Sequence, residues 1–235
     1  MLLPETRGPL TEALTTSLRT DDPAALPSLD DVAPRPDPLG DDDLQLALWI
    51  CYELHYRGFD DVAGEWEWQP QLIALRNALE DQVMAALRRA VAPARSDAPV
   101  ADRLRDIVDG DDGRSLARHM QLHAEREQFL EFAMHRSVYQ LKEADPHSWA
   151  IPRLSGRAKA ALLEIQFDEY GDGDLARMHS ELYRQLLRGL HLDDGYGAYI
   201  DCVPGITLAL SNVMSLFGLH RSWRGALVGH LAAYE

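Results

Sequence analysis

Leu162 to Leu182 reads LLEIQFDEYGDGDLARMHSEL, and how this stretch folds decides what the rest of the chain is built to hold. Apolar residues recur in it at helical spacing, with Glu164, Asp168, Glu169 and His179 set among them. Carboxylates in such a pattern need a reason to point inward, because an unpaired buried charge is costly. Glu169 and His179 are ten residues apart, on different faces of an unbroken helix that turns about 100° per residue. Positions seven apart would fall within about 20° of each other. Gly171-Asp172-Gly173 is a breaker cluster that can loop out three residues and restore that effective separation. The plainer alternative is that Gly-Asp-Gly ends one helix and Asp174 caps the next. Under the first reading Glu169 and His179 are two ligands of a metal ion inside a helical bundle, although one Glu and one His at loose spacing carry little weight alone.

Helical patterning extends on both sides. Downstream, the spacing predicts helices over 156–170 and 174–190, a short helix or turn over 193–201, and helices over 205–217 and 220–234. The 205–217 segment carries Ile206, Leu208, Leu210, Val213, Met214 and Leu216, apolar enough to be nearly surrounded by protein. Upstream, Asp41 to Asp43 caps a helix to about Tyr56, and 71–91 shows one apolar face with Leu72, Leu75, Leu79 and Val83. A short helix is expected over 97–108 and a long one over 114–142, which Asp145-Pro146 stops. Glu65-Trp66-Glu67-Trp68 and 147–152 read as ordered loops, the indoles of the first packed back on the bundle. No alternating strand pattern, hairpin signal or internal repeat interrupts this, so the fold class is all-α.

Residues 1–40 stand apart. Seven prolines among many aspartates predict a flexible or extended N-terminal arm, with one short helix near Leu10 to Leu18, leaving 41–235 as the helical bundle.

Composition removes several classes. A chain of 235 residues is long enough for a substantial core. Its net charge of -15 argues against a nucleic-acid partner, which needs clustered Lys and Arg. No apolar run approaches the length of a membrane span and no secretory leader is legible, so a cytoplasmic protein without a membrane partner is expected. Cys51 and Cys202 form no C-x-x-C pair; free thiols are the default reading and one disulfide the alternative. His119 with His123, and Glu131 with His135, are four apart and could each face one way on a helix. Such pairs without a third ligand are more often surface groups or hydrogen-bonded core residues.

The block from His135 to Gly171, HRSVYQLKEADPHSWAIPRLSGRAKAALLEIQFDEYG, together with SLFGLH at Ser215–His220 and GHLAAYE at Gly229–Glu235, resembles the bacterial iron-containing redox enzymes of the haem-oxygenase-like di-iron oxidase family. The resemblance covers roughly residues 45 to 235. It implies a haem-oxygenase-like helical bundle that binds two Fe(II) ions and uses dioxygen for N-oxygenation, desaturation or carbon–carbon cleavage of a small organic metabolite. It places metal ligands at Glu169 and His179, at Glu235 in the next core helix, and at Glu143, the additional upstream carboxylate of members with N-oxygenase activity. Bridging carboxylates would offset the charge of two Fe(II) ions, and imidazoles would tune them without adding charge.

The family completes its site with H-x-x-x-D/E-x-x-H downstream of the glutamate matched by Glu235, and the chain has no residues there. The expectation is a bundle without its last ligand helix, two irons in the complete protein, and weak, single-ion or no binding in this form. An apolar face left open by that helix would favour self-association, such as a homodimer. Two other readings stay open: a metal-independent bundle enzyme of the thiaminase II or pyrroloquinoline-quinone-synthase type, and a catalytically silent bundle that binds a ligand or a partner protein.

Overall fold

A computed structural model describes residues 1–29, 32–91 and 97–234. Among these the secondary structure is all-α, with no strand. The chain forms two compact units: Met1–Ala92 with Tyr196–Leu216, and Pro93–Gly195 with Phe217–Glu235.

The first unit holds α1 (Pro9–Thr20), α2 (Asp42–Glu53), α3 (Pro70–Ala90) and most of α10 (Gly205–Leu219). The short helix expected near Leu10 to Leu18 is present, and it is packed into the unit rather than carried on a free arm. α1 is an amphipathic helix with Pro at its start, and it buries Leu10, Leu14 and Leu18. Its own N-terminal neighbour, Gly8, has no side chain with which to cap it. The acceptor comes from α2 instead, where the buried Asp43 carboxylate takes hydrogen bonds from Leu10 N (3.0 Å), Thr11 N (2.9 Å) and Thr11 Oγ1 (2.7 Å). A Cβ on Gly8 would lie 2.6 Å from Asp43 Oδ2, so the approach requires glycine. Arg35 closes the arrangement with a 3.3 Å contact to the same carboxylate. Proline density therefore marks the connections and leaves Pro9–Thr20 free to be helix.

α2 begins at the Asp41 cap, as its sequence requires, and is buried from Asp43 to Glu53. Pro70 occupies the first turn of α3, where its missing N–H costs nothing. Trp66 is buried in a 3-10 turn, Gly64–Trp68, and donates to Asp21 Oδ1 at 2.9 Å, whereas Trp68 meets the His55 ring edge-on at 5.1 Å and stays 64% exposed; both indoles turn back, and one of them is buried. α10 buries Leu208, Met214 and Leu216 but exposes Ile206 and Leu210, so it is less enclosed than its composition suggested. Asn212 Nδ2 fixes its register by donating to the backbone oxygen (2.8 Å) and side-chain oxygen (2.9 Å) of Gln45.

The second unit contains α4 (Val100–Asp109), α5 (Leu116–Leu122), α6 (Arg126–Gln140), α7 (Asp145–Ser148), α8 (Gly156–Glu169), α9 (His179–Gly189) and α11 (Arg224–Tyr234). The long helix expected over 114–142 is two. His123 leaves helical geometry, and Glu125 restarts the chain with a capping box closed by Gln128. No Gly or Pro marks that break, so periodicity ran through it. α6 and α9 pack together, and Tyr183 of α9 donates to Ala133 O of α6 at 2.9 Å. Ala150, Leu162, Leu227 and Leu231 form a core cluster joining α8 to α11. Cys51 and Cys202 are both free, the first buried and the second exposed. No helix among the described residues is long and apolar enough to cross a membrane.

Candidate metal centre

Three chain ends converge in the second unit. α6 finishes at Gln140 and runs into a turn that carries Glu143. The turn closes at Ala144, a buried non-glycine residue at φ 71°, a strained value that redirects the chain into α7. Its carbonyl is held by Gln166 Nε2 of α8 at 2.9 Å. Gln140, with its amide nitrogen turned toward the carboxylate, donates to Glu143 Oε2 at 2.8 Å.

Glu169 is the last residue of α8 and His179 the first of α9. Between them the helix does not bulge and resume, as the looped-out reading required. The chain leaves α8 at Tyr170, makes 3-10 turns over Gly171–Gly173 and Leu175–Arg177, and starts a new helix; Asp174 caps the second turn by accepting from Ala176 N at 3.0 Å. The plainer alternative holds in part, since α8 ends before Gly171 but Asp174 caps the intervening turn and Met178 is the residue that opens α9; the two side chains still meet. Gly171 makes this possible: at φ 65° it turns the chain back so tightly that a Cβ would lie 2.5 Å from Met178 N. Helix ends therefore bring the pair together, where helix faces could not.

His179 Nδ1 lies 2.9 Å from Glu169 Oε2, with the glutamate side chain 11% exposed and the imidazole 38%. One ligand atom each from Glu143, Glu169 and His179 fall within 4.8 Å of one another. Trans ligands on a single first-row ion sit about 4.2 Å apart, so an ion would need the cluster to close by only a few tenths of an ångström. Two carboxylates and a neutral imidazole also match the charge of one divalent ion. On donor type, separation and charge, the three residues fit a metal.

Phenols frame this cluster. Burial, with Glu143, Glu169 and Tyr234 adding to it against Arg136, pushes the Tyr139 hydroxyl well above its ordinary range. Burial pushes Tyr183 up to about 12, with Arg136 opposing and Glu143 reinforcing. Tyr170, also raised to about 12 chiefly by burial, donates to Asp145 Oδ1 at 2.8 Å. All three remain protonated at neutral pH. Sequence reading missed the first two, although Tyr139 precedes Glu143 by four residues and Tyr183 follows His179 by four, the helical neighbour spacing.

Of the four expected ligands, Glu143, Glu169 and His179 come together, while Glu235 lies outside the described residues. Glu164 and Asp168 are exposed, so the inward-pointing acid of α8 is Glu169. His119 and His123 are exposed, with ring centroids 6.1 Å apart. Neither they nor Glu131 and His135 enter the cluster.

Residues 130–235 match the family model described as an iron-containing redox enzyme, a stretch that starts in α6 and includes every residue of the cluster. The match begins well after residue 45, where the resemblance was expected to start. No curated protein matches the chain. The match supports an oxidoreductase role, and the all-α architecture is consistent with a haem-oxygenase-like bundle.

Proposed function

We propose that the chain is a non-haem iron, dioxygen-dependent oxidase or oxygenase of a small organic metabolite, working by N-oxygenation, desaturation or carbon–carbon cleavage. The observation that carries this is the convergence of Glu143, Glu169 and His179 from three separate chain ends within 4.8 Å. Glu169 and His179 would hold an Fe(II) ion, with Glu143 as the third ligand oriented by Gln140; a second ion, bound with further ligands, completes the pair that the family resemblance implies. Bound iron would supply the electrons that activate dioxygen. The protein's own residues set the surroundings. Tyr139 keeps its hydroxyl proton at neutral pH beside the carboxylates, Tyr183 commits its own to Ala133 O, and the buried flank at Glu169 limits water.

Anaerobic titration of the full chain with Fe(II) tests the proposal. The expected result is binding of a single Fe(II) ion, followed by dioxygen consumption when air is admitted. A folded chain that takes up no Fe(II) removes this reading and leaves a metal-independent bundle enzyme or a ligand-binding bundle.

A further inference from the structure

A second set of metal-ligating groups lies in the same unit, outside the cluster of Glu143, Glu169 and His179. His147 is on α7 and His230 on α11, with ring centroids 5.8 Å apart. His147 is 2% exposed, and its Nε2 has no hydrogen-bond partner; Nδ1 of His230 is likewise buried and unpartnered. Leaving a buried polar atom unsatisfied is costly, so two such atoms on neighbouring rings call for a guest. Burial and the proximity of His230 pull the His147 imidazole down to about 4, and burial lowers His230 as well. Both rings are therefore neutral at physiological pH, the form in which imidazole binds metals.

The geometry limits what the guest can be. Two imidazoles on one ion, with metal–nitrogen bonds of about 2.1 Å and nitrogens about 1.1 Å from the ring centres, have centroids up to about 6.4 Å apart. The observed 5.8 Å fits within that reach. The side chains are also held in place: His230 stacks on Tyr234 at 4.6 Å, and Tyr234 lies 6.3 Å from Tyr139. Imidazole nitrogens without a carboxylate suit late first-row ions better than Mg or Ca.

We propose that His147 and His230 form a mononuclear site for a late first-row transition ion, separate from the carboxylate-bearing centre. The pair adds no charge, so it binds more weakly than that centre and fills after it. The remaining coordination positions would be open to water or to a small ligand.

Cobalt(II) is the probe. Titrated anaerobically into the full-length Glu169→Ala/His179→Ala chain, it should bind at one equivalent and show visible absorption bands of nitrogen coordination. Adding His147→Gln and His230→Gln should weaken that binding on the order of tenfold or more. In the unsubstituted chain, which avoids any folding defect of the variants, the second equivalent should bring out a further pair of paramagnetically shifted imidazole N–H resonances. The proposal is overturned if the unsubstituted chain shows shifted resonances from one histidine only. It is equally overturned if the folded Glu169→Ala/His179→Ala chain takes up no cobalt, as a site bridged by water alone would, or if binding survives loss of both histidines.

Discussion

The two units each gather ionisable side chains in their interior, and they neutralise them in different ways. In the first unit Arg76 supplies the positive charge from within the fold. Its guanidinium lies 3.4 Å from Glu80 and 2.6 Å from His55 Nε2, Tyr52 donates to Glu80 at 3.0 Å, and His55 Nδ1 faces Glu67 at 3.4 Å. In the second unit Glu143, Glu169 and His179 bring one ligand atom each within 4.8 Å of one another, and a dication would complete the set. The comparison teaches that buried acid is no mark of a metal site by itself. What sets the second cluster apart is three candidate ligand atoms within 4.8 Å of one another, whereas Glu80 and His55 of the first unit face a guanidinium.

The largest effect expected from this contrast is on iron. Glu169→Ala should abolish the first, tighter equivalent of Fe(II) uptake, while Glu67→Ala, beside the histidine of the first unit, should leave that equivalent intact; equal binding by both variants in anaerobic titration would erase the distinction. Next comes the built-in cation. Arg76→Met strands the 5% exposed Glu80 without its counter-charge and should cost about 3–5 kcal/mol in urea unfolding, with Fe(II) stoichiometry unchanged in the folded fraction. Gly171→Ala acts on the second unit's geometry alone. The added methyl collides with the Met178 backbone at a positive φ, so a loss of about 2 kcal/mol or more and weaker Fe(II) binding are expected together, and normal affinity would show that the turn is not what sets the ligand spacing.

Histidine titration sharpens the comparison further. His147 has a folded-state pKa of about 4 against an ordinary 6.5, because burial and the neighbouring His230 oppose its charge. The unfolded chain accepts a proton that the folded one refuses, so this contribution is complete above about pH 6.5 and is lost as pH falls toward 4. His55 is lowered too, by burial and by Arg76, and acts in the same direction. Replacing His147 by Gln should flatten the slope of unfolding free energy between about pH 6.5 and 4, leaving the parts that belong to His230 and to His55 of the first unit. An unchanged slope would assign all of it elsewhere. The smallest effect should come from Asp43→Asn, which weakens the cap of α1 by about 1 kcal/mol without touching Fe(II) binding.

Much of the helical plan could be read directly from local chemistry. Asp41 caps α2, Pro70 opens α3, and apolar periodicity traces α8 to α11, all within a few residues of where the signals stand. What could not be read depended on distant partners. α1 becomes a packed helix because Asp43, 32 residues further on, supplies the acceptor its own sequence lacks. The α5–α6 break has no Gly or Pro to announce it. At the centre, Glu169 and His179 were already candidates from their spacing and Glu143 came from family resemblance, whereas their meeting rests on a left-handed Ala144 and a tight Gly171 turn that periodicity does not encode. Tyr139 and Tyr183 were within reach, since each stands one helical turn from a ligand.

Glu169 ends one helix and His179 begins the next, so an ion held by both acts as a clasp on the nine residues from Tyr170 to Met178. Opening that segment and releasing the ion then become a single event with a single free energy. Amide exchange along the clasped stretch would slow in proportion to occupancy, which makes the backbone itself a gauge of how full the centre is.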